Sequence, residues 1–132
     1  MSDQIQIRIL IVDDIPETRD HLTKLLGFES DMLVVGAASS GREAIELATR
    51  LAPDVVLMDI NMPEMNGVEA TRRILNEHPT TVVFLCSTYD AADLPADAPT
   101  SGAAAYVHKE HLSPSTIRRL WESRDEGAFL TD

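Results

Sequence analysis

The chain has 132 residues, 44% of them hydrophobic, enough for one packed core and too few residues for several domains. No apolar run approaches the ~18 residues that a membrane span needs. The formal net charge of −11 disfavours direct contact with nucleic acid or an anionic membrane.

The start of the chain, Met1 to Gln4, lacks the basic region of a secretory signal. The single cysteine, Cys86, allows no internal disulfide and reads as a small core residue. Both features point to the cytoplasm.

Residues 5–12 read as a strand. Ile5, Ile7 and Ile9 alternate with polar residues, and the pattern then runs continuously apolar into Asp13-Asp14. Pro16 suits a first helical turn, Glu17 complements its dipole, and Leu22, Leu25 and Leu26 recur at helical spacing before Gly27. Residues 33–37 form a short second strand. Ser39-Ser40-Gly41 is a loop with a candidate cap. Ala44, Ile45, Ala48 and Leu51 mark the buried face of a second helix that Pro53 ends.

Val55 to Met58 is an apolar run that leads straight into Asp59. A run this short fits a strand buried on both faces, with Asp59 at its C-terminal tip. Met62 to Gly67 is a turn, marked by Asn66-Gly67. A third helix follows over 68–77 and ends before His78-Pro79. Residues 82–86 read as a fourth strand, followed by the polar Ser87-Thr88.

Repetition of the pattern would put a fourth helix at 90–101, but Pro95 and Pro99 argue for a short, displaced or irregular element. Residues 102–109 hold a short fifth strand that ends near Lys109. Ser113-Pro114 is a cap and first-turn pair, and Ile117, Leu120 and Trp121 give the last helix its apolar stripe. Residues 126–132 read as a frayed tail, outside a folded unit over about 6–123.

Strands alternating with helices predict an α/β doubly wound fold around a five-stranded parallel sheet, with helices on both faces. Such sheets bind ligands beyond the carboxyl ends of their strands. Asp13, Asp14 and Asp59 would meet there and repel one another unless a cation neutralises them. Mg²⁺ suits a sparse site of one or two carboxylates. Lys109 and Ser87 end two further strands at the same edge. Each residue alone has an ordinary surface or packing role; four strand ends that bring an acid pair, an acid, a hydroxyl and a lysine to one edge do not.

That ordered set resembles the receiver domain of two-component response regulators, the CheY-like family. It is carried by Asp13-Asp14, Asp59 within Met58-Asp59-Ile60-Asn61-Met62-Pro63, Gly67, Ser87, Tyr106 and Lys109. Val55 to Asp59, Glu69 to Arg73 and Ser87 to Asp90 look most like its NarL/LuxR-type branch.

The resemblance implies a strand order of 2-1-3-4-5. It implies that Asp59 accepts a phosphoryl group from a sensor histidine kinase or phosphotransfer protein. Asp13, Asp14, Asp59 and the backbone carbonyl of Asn61 would hold Mg²⁺. Lys109 would contact the phosphoryl oxygens. Ser87 would turn toward the phosphoryl group and Tyr106 would follow, signalling to a downstream protein target or a lost output domain. A homodimer is compatible with this.

The protein would be a phosphoacceptor and not an enzyme on other substrates. No helix-turn-helix sequence follows the last helix, so no DNA binding is expected. Two alternatives stay open. One is a receiver-like interaction module that works without phosphorylation. The other is a Mg²⁺-dependent aspartyl-phosphate hydrolase of the haloacid-dehalogenase type, which Asn61 and Pro63 disfavour, standing where that pattern has Asp and Thr or Val.

Overall fold

The computed structural model describes residues 6–132. Ile5, expected to open the first strand, lies outside the described residues. The elements run β1 (Ile7–Val12), α1 (Pro16–Gly27), β2 (Met32–Ala38), α2 (Gly41–Leu51), β3 (Val55–Asp59), α3 (Gly67–Glu77), β4 (Val82–Ser87), β5 (Ala105–His108), α4 (Pro114–Glu122) and β6 (Leu130–Thr131). All neighbouring strands are parallel, in the order β2-β1-β3-β4-β5-β6.

The strand period of two sorts the apolar residues onto two faces. On one face Leu10, Val12, Val56, Met58, Val83 and Leu85 meet Ala44 and Ala48 of α2 and Val68 and Ile74 of α3. On the other, Ile9, Ile11, Leu57 and Phe84 meet Leu22 and Leu26 of α1 and Ile117 and Leu120 of α4. The central strands are therefore apolar without a break over 9–12, 55–58 and 82–86, as strands covered on both sides must be. Each such side chain contributes about 1.5–3 kcal/mol of burial free energy.

The helix ends follow local chemistry. Ser40, Asn66 and Ser113 each accept a backbone N–H from three residues on, capping α2, α3 and α4. Pro16 and Pro114 occupy first turns, where the missing N–H costs nothing. Before Pro53, Ala52 turns into the left-handed region at φ 46° and stops α2. Asn66-Gly67 thus marks a helix start as well as a turn.

The segment 90–101 carries no α-helix. A single 3-10 turn, Ala91–Asp93, is followed by turns bonded from Ala98 to Pro95 and from Ser101 to Ala98. Its prolines act as expected. Ala98 is nevertheless fully buried against the face that holds α2 and α3.

The tail departs from expectation. Residues 126–132 do not fray: Leu130–Thr131 pairs with Ala105 and Tyr106 as a sixth parallel strand. The reason is physical. β5 would otherwise be an open edge, and Phe129 and Leu130 each pack against a different face of the sheet. Among the described residues no helix is long and apolar enough to cross a membrane.

Candidate functional site

β1 and β3 are neighbours, so their carboxyl ends open onto the same volume. Asp13 follows β1 directly and Asp59 is the last residue of β3. Both are nearly sealed, at 2% and 3% exposure, while Asp14 is partly open. One carboxylate oxygen from each of the three lies within 4.8 Å of the others.

The turn after β1 is pinned on several sides. The Asp13 N–H donates to Ala38 O at 3.1 Å, and Asp13 Oδ1 accepts the Ile15 N–H at 2.9 Å. The Arg19 guanidinium donates to Asp13 O at 2.6 Å. This arginine was not read from the sequence. Its one signal was a cation placed one and a half helical turns after the acid pair.

Gly67 shapes the other wall. Its N–H donates to Ile60 O at 2.9 Å, and a Cβ at this position would stand 2.1 Å from Asp59 O. Only glycine permits so close an approach.

Lys109 lies just past β5 and heads the 3-10 turn Lys109–His111. Its Nζ is 2.8 Å from Asp13 Oδ2 and 3.5 Å from Asp59 Oδ1. One ammonium against three carboxylates leaves an excess of negative charge. Burial pushes the Asp59 carboxyl up to about 7, and the charge of Asp13 adds to the effect. Lys109 and a backbone hydrogen bond from Asn61 oppose it. Burial weakens the Lys109 ammonium, but its hydrogen bond to Asp13 and the charges of Asp59 and Asp13 outweigh this and raise its pKa.

A hard divalent cation fits this donor set: oxygen ligands only, two of them buried, with more negative charge than the lysine offsets. Asn61 stands at the same rim, through its backbone hydrogen bond to Asp59.

Ser87 and Tyr106 form a second cluster beside the first. Ser87 ends β4 and is fully buried. Its Oγ is 2.9 Å from the Tyr106 hydroxyl and accepts the Tyr89 N–H at 3.0 Å. The Tyr106 hydroxyl also donates toward Ser87 O and Tyr89 O, and its ring is buried in the face shared with α2 and α3. Ser87 thus faces Tyr106 across the β4–β5 pair. The structure brings Asp13, Asp14, Asp59 and Lys109 together, with Asn61 at the rim and Ser87 and Tyr106 alongside. His108 turns its Nε2 to Thr88 O at 3.0 Å, which fixes the strand end before Lys109.

Residues 9–120 match the response regulator receiver domain family. The chain is 41% identical over 122 residues to a protein-glutamate methylesterase/protein-glutamine glutaminase of Thermotoga maritima, covering 91% of this chain and 35% of that protein. The chain spans about a quarter to just over half of the length of the curated relatives it matches. Its fold superposes on the signal receiver domain of NarL from Mycobacterium tuberculosis with a TM-score of 0.80 at 27% identity, over 93% of this chain and 98% of that one. It also superposes on a chain of the CheX-CheY-BeF3-Mg complex of Borrelia burgdorferi, with a TM-score of 0.78 at 26% identity, over 90% of this chain and 89% of that one.

Proposed function

Because the chain belongs to the response regulator receiver domain family of two-component systems, we propose that Asp59 is its phosphoacceptor. The donor is a phosphohistidine on a sensor histidine kinase or a phosphotransfer protein. One observation carries the reading: Asp59, at the tip of β3, shares a 4.8 Å cluster with Asp13 and Asp14 while Lys109 Nζ stands 3.5 Å away.

Asp13, Asp14, Asp59 and the Asn61 carbonyl would hold Mg²⁺, which would supply the positive charge that lets a carboxylate and a phosphoryl group share this volume. An oxygen of Asp59 attacks phosphorus as the bond from phosphorus to the imidazole nitrogen breaks. The imidazole leaves and Asp59 becomes an acyl phosphate. Asp13 keeps the Lys109 ammonium aimed at the site, where it meets a phosphoryl oxygen. The chemistry asks for positioning and charge balance, which this rigid set of strand ends provides.

Ser87 then donates its hydroxyl to another phosphoryl oxygen, which breaks its bond with Tyr106. The freed ring moves into the space that Ser87 leaves, and the β4–β5 surface changes. A protein target in the cytoplasm, or an output domain, reads that change. The chain catalyses only its own phosphoryl transfer and slow dephosphorylation.

The test is intact-mass analysis after incubation with acetyl phosphate. One added phosphoryl group that requires both Mg²⁺ and Asp59 is expected, and Asp59→Asn takes none. Labelling of Asp59→Asn at another site would overturn the assignment. No adduct from acetyl phosphate and no response to beryllofluoride would favour a phosphorylation-independent interaction module.

A further inference from the structure

The feature that the phosphoacceptor reading leaves unused is β6. Its bonds to β5 cluster around one residue. The Asp132 N–H donates to Tyr106 O at 2.9 Å, the Leu130 N–H to Ala104 O at 3.1 Å, and the His108 N–H to Asp132 O at 2.8 Å. Each of these partners is Tyr106 or lies two residues from it. Tyr106 is also the residue whose hydroxyl meets Ser87. Phe129, just before β6, packs on the same apolar cluster as the Tyr106 ring. One backbone bond of the segment thus ends on Tyr106, and Phe129 shares the apolar cluster of its ring.

The attachment is also slight. β6 has two residues in its ladder, against four in β5 and six in β4. It is reached through Gly127, at φ 79°. A cleft of about 250 Å³ is lined by Pro99, Gly102 and Ala103 together with Gly127, Ala128 and Phe129. Beyond the ladder, Asp132 pairs with Arg119 of α4 at the exposed surface. Because 90–101 forms no α-helix, Phe129 helps to close a face that a helix does not cover.

We propose that residues 129–132 are a detachable edge strand. They close the outer edge of β5 while Ser87 holds Tyr106. When that hold is lost they leave, and the edge accepts an extended peptide of the same chemistry. That chemistry is defined by the strand already seated there: two adjacent apolar residues that straddle the sheet, then a carboxylate for Arg119. Main-chain bonds supply the affinity, and the apolar pair and the ion pair supply the choice. The trigger rests on the phosphoacceptor reading; the docking edge does not.

Amide hydrogen exchange on the full chain with Mg²⁺, with and without beryllofluoride, tests the trigger. The His108, Leu130 and Asp132 amides should exchange ~10-fold faster with beryllofluoride bound, the scale of one lost hydrogen bond, while Val56 and Leu57 do not. Unchanged exchange at the three amides, with resonances around Asp59 shifted, would overturn the detachable strand and leave the phosphoacceptor standing. No shift around Asp59 would count against the phosphoacceptor and remove the trigger with it.

The docking edge has its own arm. In the Phe129→Ala chain, without beryllofluoride, the same three amides should speed up. Millimolar peptide Ala-Phe-Leu-Thr-Asp should slow His108 again. A folded variant whose exchange matches the wild type, or whose His108 ignores the peptide, would overturn the edge.

Discussion

Asp59 is a carboxylate held almost out of water beside a second one, and in the metal-free protein that has a measurable cost. Its folded pKa of about 7 exceeds the ordinary 3.8, so the folded state binds the proton more tightly. Stability contributed by this group is therefore full below about 4 and is lost as pH rises to about 7. Asp59→Asn removes the penalty. In chelator, the variant should melt above the wild type at pH 8, by on the order of 2–4 kcal/mol on the scale of ~1.4 kcal/mol per pKa unit. The gap should close as pH falls toward 4. Parallel melts across pH 4–8 decide it: a gap that does not change with pH would mean that Asp59 is not ionised against a cost. Gly67 makes the matching argument for the backbone. Gly67→Ala places a methyl group 2.1 Å from Asp59 O, so the loop must shift. A loss of about 1–3 kcal/mol in urea titration is expected, as for overpacking elsewhere, with weakened Mg²⁺ affinity because the moved carbonyl belongs to Asp59. Wild-type stability would show that the loop is roomier than described.

At the scale of elements, the strand tips were the legible part of this sequence. Ile9 to Val12 and Val55 to Met58 run apolar into acids, so both the strand and its end are written locally. The same holds for Ser113-Pro114 before α4 and for Pro95 and Pro99 in the segment that lacks a helix. What the sequence hid depends on distant partners. β6 is two residues long, below any periodicity, and exists because β5 offers an unpaired edge. Arg19 reaches the Asp13 carbonyl only once α1 folds back over β1. Ala52 is an intermediate case: Pro53 announces a stop, but the left-handed φ of 46° appears only in the folded chain. Here Ala52→Gly should stabilise the protein by about 0.5–1 kcal/mol. Glycine escapes the Cβ penalty of ~1–2 kcal/mol in this region, less its greater freedom when unfolded. The midpoint of urea unfolding should rise with an unchanged slope. A lower midpoint would mean that the Ala52 side chain contributes packing that outweighs its strain.

Over the whole molecule, acid outnumbers base by 22 to 11, and three of those carboxylates are gathered within one small volume at the site. Two stabilising effects of salt must then be separated. Monovalent salt screens surface repulsion generally, over roughly 8–10 Å at physiological strength. It should raise the melting temperature of the wild type and of Asp14→Ala alike. Mg²⁺ bound at the proposed site would act by occupation, which stabilises a folded state by about 2.7 kcal/mol when the free concentration is 100 times the dissociation constant. For a chain of this size that is on the order of 10 °C. At matched ionic strength, replacing NaCl by MgCl₂ should therefore raise the wild-type melt and leave Asp14→Ala nearly where NaCl put it. Equal gains in both proteins would trace the Mg²⁺ effect to the acidic surface as a whole. A gain confined to the wild type would trace it to the cluster at the ends of β1 and β3, where a phosphoryl group would also have to be accommodated.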